Sequence, residues 1–183
     1  IPKIVKRIKE NREKDGGFGP VAVFSAPMGC TDSLIKIGES HAQECQLPLD
    51  PVFEVYERLA KVHVKGKWLK QARNELANYK ALTQTTLDSV NKRFSGNIKA
   101  RTLTFGGELA MSVLMDYILK SNDLDSCSLP MEDWPIVTDD NFEEALPNYE
   151  LSKKRLHTLI EPLEEGKVVT LAGFLGVTVD GLE

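Results

Sequence analysis

Several motifs that would assign a function class directly are missing from this 183-residue sequence. It contains no Gly-x-x-x-x-Gly-Lys-Ser/Thr loop, no Gly-x-Gly-x-x-Gly between a strand and a helix, no Gly-x-Ser-x-Gly and no His-Glu-x-x-His. The first absence excludes a P-loop protein, and the others leave no signature of a dinucleotide fold, a nucleophile elbow or a zinc protease. Function therefore has to be inferred from less specific patterns.

Cysteine and long apolar runs are also scarce. The three cysteines (Cys30, Cys45 and Cys127) are odd in number and lack metal-ligand spacing, which indicates free thiols in a reducing compartment. We therefore expect a cytoplasmic protein without a bound metal. No apolar stretch approaches the roughly 20 residues of a membrane span, and a formal net charge of −4 gives no reason to expect nucleic acid. We therefore predict that the protein binds neither a membrane nor nucleic acid.

What the sequence does contain is an alternation of short apolar runs with segments of helical periodicity. Buried strands are predicted at 21–26, 134–138 and 167–176, with a loop or short strand at 122–130. Helices are predicted at 1–14, 33–45, 51–64, 67–94, 104–120 and 149–160. Strands separated by helices favour a layered α/β domain with a mainly parallel sheet, here rich in helix.

The most specific stretch is Val-Ala-Val-Phe-Ser-Ala-Pro-Met-Gly-Cys-Thr-Asp, residues 21–32, in which a strand enters a turn of small residues. Ligands bind outside the carboxyl ends of strands in open parallel sheets. Thr31 or Asp32 is expected to cap the next helix, whose free N–H groups attract a carboxylate or phosphate. A capped turn without a ligand is the alternative.

Two later turns also carry glycines. Gly106 and Gly107 precede the strongest helical pattern, which predicts Glu108 in the first turn of that helix. There it either complements the helix dipole or accepts hydrogen bonds from a substrate ammonium. Phe174 lies between two glycines at the end of the last strand, where either a bulge or a ligand-facing strand end fits. We expect strands 21–26 and 168–174 to share one sheet, with their carboxyl ends at the same edge.

Taken in this order, the turns resemble the aspartate kinase branch of the amino-acid kinase family. Residues 21–32 are similar to that branch's strand followed by Ser-Ala-x-x-Gly-x-Thr-Asp/Asn, and residues 107–109 to its Gly-Glu-Leu. Residues 134–142 resemble its Thr-Asp/Asn before an aromatic residue, and residues 173–176 its Gly-Phe-Ile-Gly strand end, with Asp180-Gly181 as the turn after it. The resemblance covers nearly the whole chain and implies a three-layer αβα sandwich.

The resemblance also implies an activity. Enzymes of this branch are homo-oligomeric and transfer the γ-phosphate of ATP, with Mg²⁺, to the side-chain carboxylate of L-aspartate, the first step of lysine, threonine and methionine biosynthesis. By the same resemblance, Ser25 and Thr31 supply hydroxyls to the substrate and Gly29 allows close approach of the backbone. Glu108 binds the substrate ammonium, and Phe174 forms a pocket wall. No catalytic, nucleotide-binding or metal-binding residue is assigned.

The sequence departs from that pattern in several places. The Lys-Phe-Gly-Gly strand expected before Ile1 and the Gly-Arg-Gly-Gly-Ser-Asp segment expected after Gly181 do not occur in it, and Gly106 replaces a histidine frequent in relatives. We therefore expect residues 1–183 to be a partial amino-acid kinase domain, its amino-acid-substrate half. The phosphate-loop strand, the nucleotide-binding half and a regulatory domain would then lie outside it.

Two alternatives remain at this point. The first is another amino-acid kinase, acting on acetylglutamate, glutamate or uridylate, although the long helical insertion before Gly-Glu-Leu favours aspartate kinase. The second is a non-catalytic interaction module, in which the turns at the strand ends are only caps.

Overall fold

The computed structural model describes residues 1–14, 16–142 and 144–179. Its helices are α1 (Pro2–Lys14), α2 (Cys30–Ala42), α3 (Asp50–His63), α4 (Lys67–Asp88), α5 (Gly96–Leu103), α6 (Ala110–Lys120), α7 (Tyr149–Arg155) and α8 (His157–Glu164). The strands are β1 (Val21–Phe24), β2 (Ser126–Ser128) and β3 (Val168–Ala172). Between α5 and α6 the helix continues through a π-helical segment, Thr104–Leu109, called the π-turn below. In the described part of the chain, no helix is long and apolar enough to cross a membrane.

The three strands form one parallel sheet in the order β1-β3-β2. Val21 pairs with Val169 and Phe24 with Ala172, whereas β2 pairs with the first half of β3. All five residues of β3 are buried, as expected for the central strand of a parallel sheet covered on both faces. Because β1 and β3 are adjacent and parallel, their carboxyl ends lie at the same edge, which confirms that prediction.

Helices cover both faces of β3, and the alternation of its side chains shows how. Val169 and Leu171 pack in a cluster with Trp134 and with residues of α8, whereas Val168 packs in a separate cluster with Ile8 of α1 and with Leu119 of α6. The α/β expectation is confirmed: the structure is a helix-rich αβα fold with a parallel sheet.

Several predicted elements differ in detail. β1 is not buried, because it is the edge strand of the described sheet, and Val21 and Val23 are 42% and 62% exposed. The strand predicted at 134–138 is reduced to isolated bridges at Val137 and Thr138. Pro135 has no N–H to donate to a ladder, which limits pairing there. The predicted helix at 149–160 is divided into α7 and α8.

Two other expectations concern the cysteines and the last turn of the chain. The three cysteines are free, as predicted. The turn predicted at Asp180 and Gly181 lies outside the described residues.

Candidate functional site

The turn after β1 leads into α2 through Gly29, whose φ of 83° lies in the left-handed region that glycine adopts readily. The carbonyl of Gly29 accepts hydrogen bonds from the Ser33 N–H at 3.1 Å and from the Ser33 hydroxyl at 2.8 Å. No side chain caps the helix. The predicted cap by Thr31 or Asp32 is therefore wrong, because α2 begins at Cys30 and both residues already lie in its first turn.

The turn after β3 meets the turn after β1. The Gly173 N–H donates to the Phe24 carbonyl at 2.8 Å, continuing the pairing of the two strands by one bond. A Cβ at Gly173 would lie 3.5 Å from the Ser25 Oγ. The exposed Ser25 hydroxyl is thus next to the backbone of the second turn.

The π-turn meets the same point. A Cβ at Gly107 would lie 3.3 Å from the Cβ of Ala26, so these backbones are almost in contact. The backbone N–H groups of Ala26 and of Glu108 itself face the Glu108 carboxylate and lower its pKa. All three glycine-bearing turns therefore converge at Ser25 and Ala26, with one carboxylate among them.

Glu108 does not lie in the first turn of a helix. The helical backbone runs from Gly96 through the π-turn into α6, so Gly106 and Gly107 lie inside a long helical unit. The packing favours glycine there, because a Cβ at Gly106 would lie 2.8 Å from Leu34 Cδ2 and that buried side chain would have to shift. A larger side chain at position 106 would displace Leu34 or Thr83.

The ionisation of Glu108 depends on burial and not on a helix dipole. No helix terminus stabilises its charge, and burial raises the pKa of the carboxyl, partly offset by the two N–H donors. A carboxylate that has lost water gains more from a cationic ligand than a fully solvated one does. The site is therefore suited to an ammonium group.

Tyr56 is a site residue that the sequence analysis missed. Its single hydroxyl hydrogen is shared in a bifurcated bond between the carbonyls of Gly106 and Gly107, each 2.9 Å from the hydroxyl oxygen. Burial raises the pKa of Tyr56, and the nearby Cys30 thiol and Glu108 carboxylate raise it further. The start of α2, the middle of α3 and the π-turn are thus packed around Glu108.

Phe174 has an unusual conformation. Its φ is 56°, in the left-handed region, and its side chain is fully exposed. The turn that contains Phe174 is fixed by a hydrogen bond at its next residue: the Trp134 indole N–H donates to the Leu175 carbonyl at 3.1 Å. A strained backbone that presents an apolar ring to solvent is typical of positions that act on a ligand.

We expect Phe174→Gly to separate folding from binding. Glycine adopts a φ of 56° without the strain of a side chain, so the free energy of unfolding should rise by about 0.5–1 kcal/mol. If the ring lines the site, aspartate affinity should fall in the same variant. Denaturant unfolding and calorimetric titration measure the two effects, and Phe18→Gly, another exposed phenylalanine, is the control for loss of an apolar ring. A lower free energy of unfolding in Phe174→Gly would contradict the inference that the backbone of Phe174 is strained.

Other candidate sites are less well supported. A groove of about 230 Å³ between α3 and α4 is lined by charged side chains, but they form the pairs Arg73–Glu57 and Lys80–Asp50. Across residues 1–14, 16–142 and 144–179, no group of three or more His, Cys, Asp or Glu side chains is placed to hold a metal ion.

Comparison with known proteins supports the fold. No protein-family model matches the chain, and no curated protein sequence matches it. Among solved structures, E. coli aspartokinase III with lysine and aspartate (T-state) superposes over 97% of this chain, with a TM-score of 0.78 and 20% identity. The same enzyme with aspartate and ADP (R-state) gives a TM-score of 0.72, also at 20% identity over 97% of the chain. This chain spans 39% of either aspartokinase chain, and the similarity shows that it has an aspartokinase-like fold.

Proposed function

We propose that this chain is the amino-acid-substrate half of an aspartate kinase, an enzyme that transfers the γ-phosphate of ATP to the side-chain carboxylate of L-aspartate. The observation that carries the proposal is the half-buried Glu108 carboxylate at the point where three turns converge. The shared fold supports it, since the aspartokinase III structures are complexes with aspartate.

Each residue of the convergence has a role in this proposal. Glu108 accepts hydrogen bonds from the substrate ammonium, an ionic interaction worth about 1.5–3 kcal/mol. Ser25 and Thr31 contribute hydroxyls from the two ends of the first turn. Gly29 lets the backbone approach the substrate, and the Phe174 ring closes one side.

ATP and Mg²⁺ belong to the proposed reaction, but the described residues do not form their site. The Glu108 carboxylate faces two backbone N–H groups, and no group of three or more His, Cys, Asp or Glu side chains in the described chain is placed to hold a metal ion. We therefore derive no step through the nucleotide or the metal. In the proposed enzyme those groups are held by segments outside these residues, and the enzyme is a cytoplasmic homo-oligomer of amino-acid biosynthesis.

The proposal is tested on the full-length protein that contains this chain. The expected result is that ATP is converted to ADP when aspartate is present and not when glutamate, acetylglutamate or uridylate replaces it. Calorimetric titration with L-aspartate, L-glutamate and ATP checks binding separately from turnover. A preference for one of the other acceptors would reassign the substrate, and binding of none of them would favour an interaction module.

We also expect the 183-residue chain alone to be inactive. The family's lysine and arginine segments that neutralise phosphate and carboxylate charge are not in its sequence, and phosphoryl transfer depends on such charge neutralisation. For the same reason its affinity for aspartate should be weak. A coupled assay for ADP on the purified chain checks this, and measurable aspartate-dependent ADP formation would overturn our assignment of the catalytic parts.

A further inference from the structure

We propose that Tyr56 is a positioning residue for Glu108, with its hydroxyl holding the π-turn in the conformation that directs the Glu108 carboxylate to Ala26. The inference rests on the proposed function in one respect, that Glu108 binds the substrate ammonium. Its structural part, the hydroxyl acting on the π-turn, stands independently of the reaction.

The anchor is rigid. Tyr56 lies in the middle of α3, and its side chain is completely buried. Its ring packs against Phe53 of the same helix, with ring centroids 5.5 Å apart. From this position the hydroxyl reaches two consecutive carbonyls of the π-turn, those of Gly106 and Gly107. The residue that follows them is Glu108.

The π-turn needs such support. A π-helical segment closes its hydrogen bonds five residues back instead of four, and it is rare because the α-helical alternative is usually preferred. Two glycines lower the preference for any regular helix further. A donor from a separate helix, aimed at the carbonyls of both glycines, favours the arrangement in which they face α3. Without the Tyr56 hydroxyl, the π-turn loses a contact that favours the π-helical conformation over the α-helical one.

The hydroxyl also remains a donor throughout the working pH range. Burial is the main cause that raises the pKa of Tyr56, and the neighbouring Cys30 and Glu108 act in the same direction. A raised pKa in a phenol means that the proton is retained to higher pH. The hydrogen bonds to the two glycine carbonyls therefore persist while Glu108 changes its own protonation state.

The test is Tyr56→Phe in the full-length protein, which removes one oxygen and keeps the ring. We expect kcat/KM for aspartate to fall roughly tenfold, the loss typical of removing one buried hydrogen bond that positions a binding group, while KM for ATP is unchanged. Thr102→Val is the matched control, because the buried Thr102 hydroxyl donates to the Ile98 carbonyl at 2.8 Å in the preceding helix, α5. It should lower stability and leave kcat/KM for aspartate unchanged.

Amide hydrogen exchange provides a readout that does not depend on activity. In Tyr56→Phe we expect the amides of 104–110 and of Ala26 to exchange roughly tenfold faster, beyond any change in global stability, and those in Thr102→Val not to do so. Unchanged exchange at these amides would overturn the action of the hydroxyl on the π-turn. Faster exchange with unchanged kcat/KM for aspartate would overturn the positioning role. Absence of activity in the wild-type protein would instead refute the proposed function and leave the exchange result interpretable.

Discussion

Glu108→Gln is expected to lower kcat/KM for aspartate by roughly ten- to a hundred-and-fifty-fold in the full-length protein, because one ionic hydrogen bond worth about 1.5–3 kcal/mol is lost. Glutamine keeps the shape, and its side-chain oxygen still accepts from the Ala26 N–H. KM for ATP should barely change. Steady-state kinetics with each substrate varied in turn measures both values. Glu39→Gln, at an exposed glutamate of α2, is the control and should have no effect.

The same substitution should raise the melting temperature at neutral pH. Because burial raises the pKa of Glu108, the native state binds more protons than the unfolded state between the unfolded pKa and the folded pKa. Stability is therefore highest below that window and falls as pH rises through it. Glutamine does not titrate, so the loss disappears, and thermal melts from acidic to neutral pH should show the two proteins diverging. Unchanged kcat/KM would remove the ammonium-binding role, and a lower melting temperature at neutral pH would contradict the effect of burial.

The largest expected change in stability is that of Gly19→Ala, about 3 kcal/mol less free energy of unfolding. Gly19 is buried just before β1, and a Cβ there would lie 1.6 Å from the carbonyl oxygen of Lys167. The obstacle is backbone, so no side-chain rotation relieves it. The Gly19 N–H also donates to the Leu163 carbonyl at 2.8 Å, which ties this position to α8.

Gly16→Ala is the matched control in the same loop. At Gly16 a Cβ meets nothing within 4 Å, and only the φ of +62° is unfavourable. We expect that variant to lose about 1 kcal/mol, the cost of a left-handed alanine. Urea unfolding of the two variants compares a backbone collision with backbone strain, and equal losses would show that β1 can move away from Lys167.

The local part of this fold was predictable from sequence. Short apolar runs identified β1 and β3, and period-3.6 patterns identified most helices, because such patterns depend only on which residues of each element are buried. The convergence of the strand-end turns was also predictable, since adjacent parallel strands end at one edge. The exposure of Val21 and Val23 was not, because an edge strand and a central strand have the same apolar composition.

The candidate site was predictable only in part. Gly106 and Gly107 before an apolar helix indicate a helix start, since glycine is a poor helix former. In the structure these glycines instead allow close packing: Gly106 lies against Leu34 of α2 and Thr83 of α4, and Gly107 lies against Ala26, all distant in sequence. Tyr56 belongs to the apolar row of its own helix, and its hydrogen-bond partner is 50 residues away. No pattern in its neighbourhood marks it.

The π-turn also sets the rotational register of the helical unit from Gly96 to Lys120. An α-helix advances by about 100° per residue, and the π-turn takes up one extra residue in a single turn; if the same residues formed a regular α-helix, α5 would be turned by about that angle relative to α6. The contacts of α5 with α2, or those of α6 with the sheet, would then be lost. In this part of the chain the number of residues, as much as their identity, determines the direction in which Glu108 points.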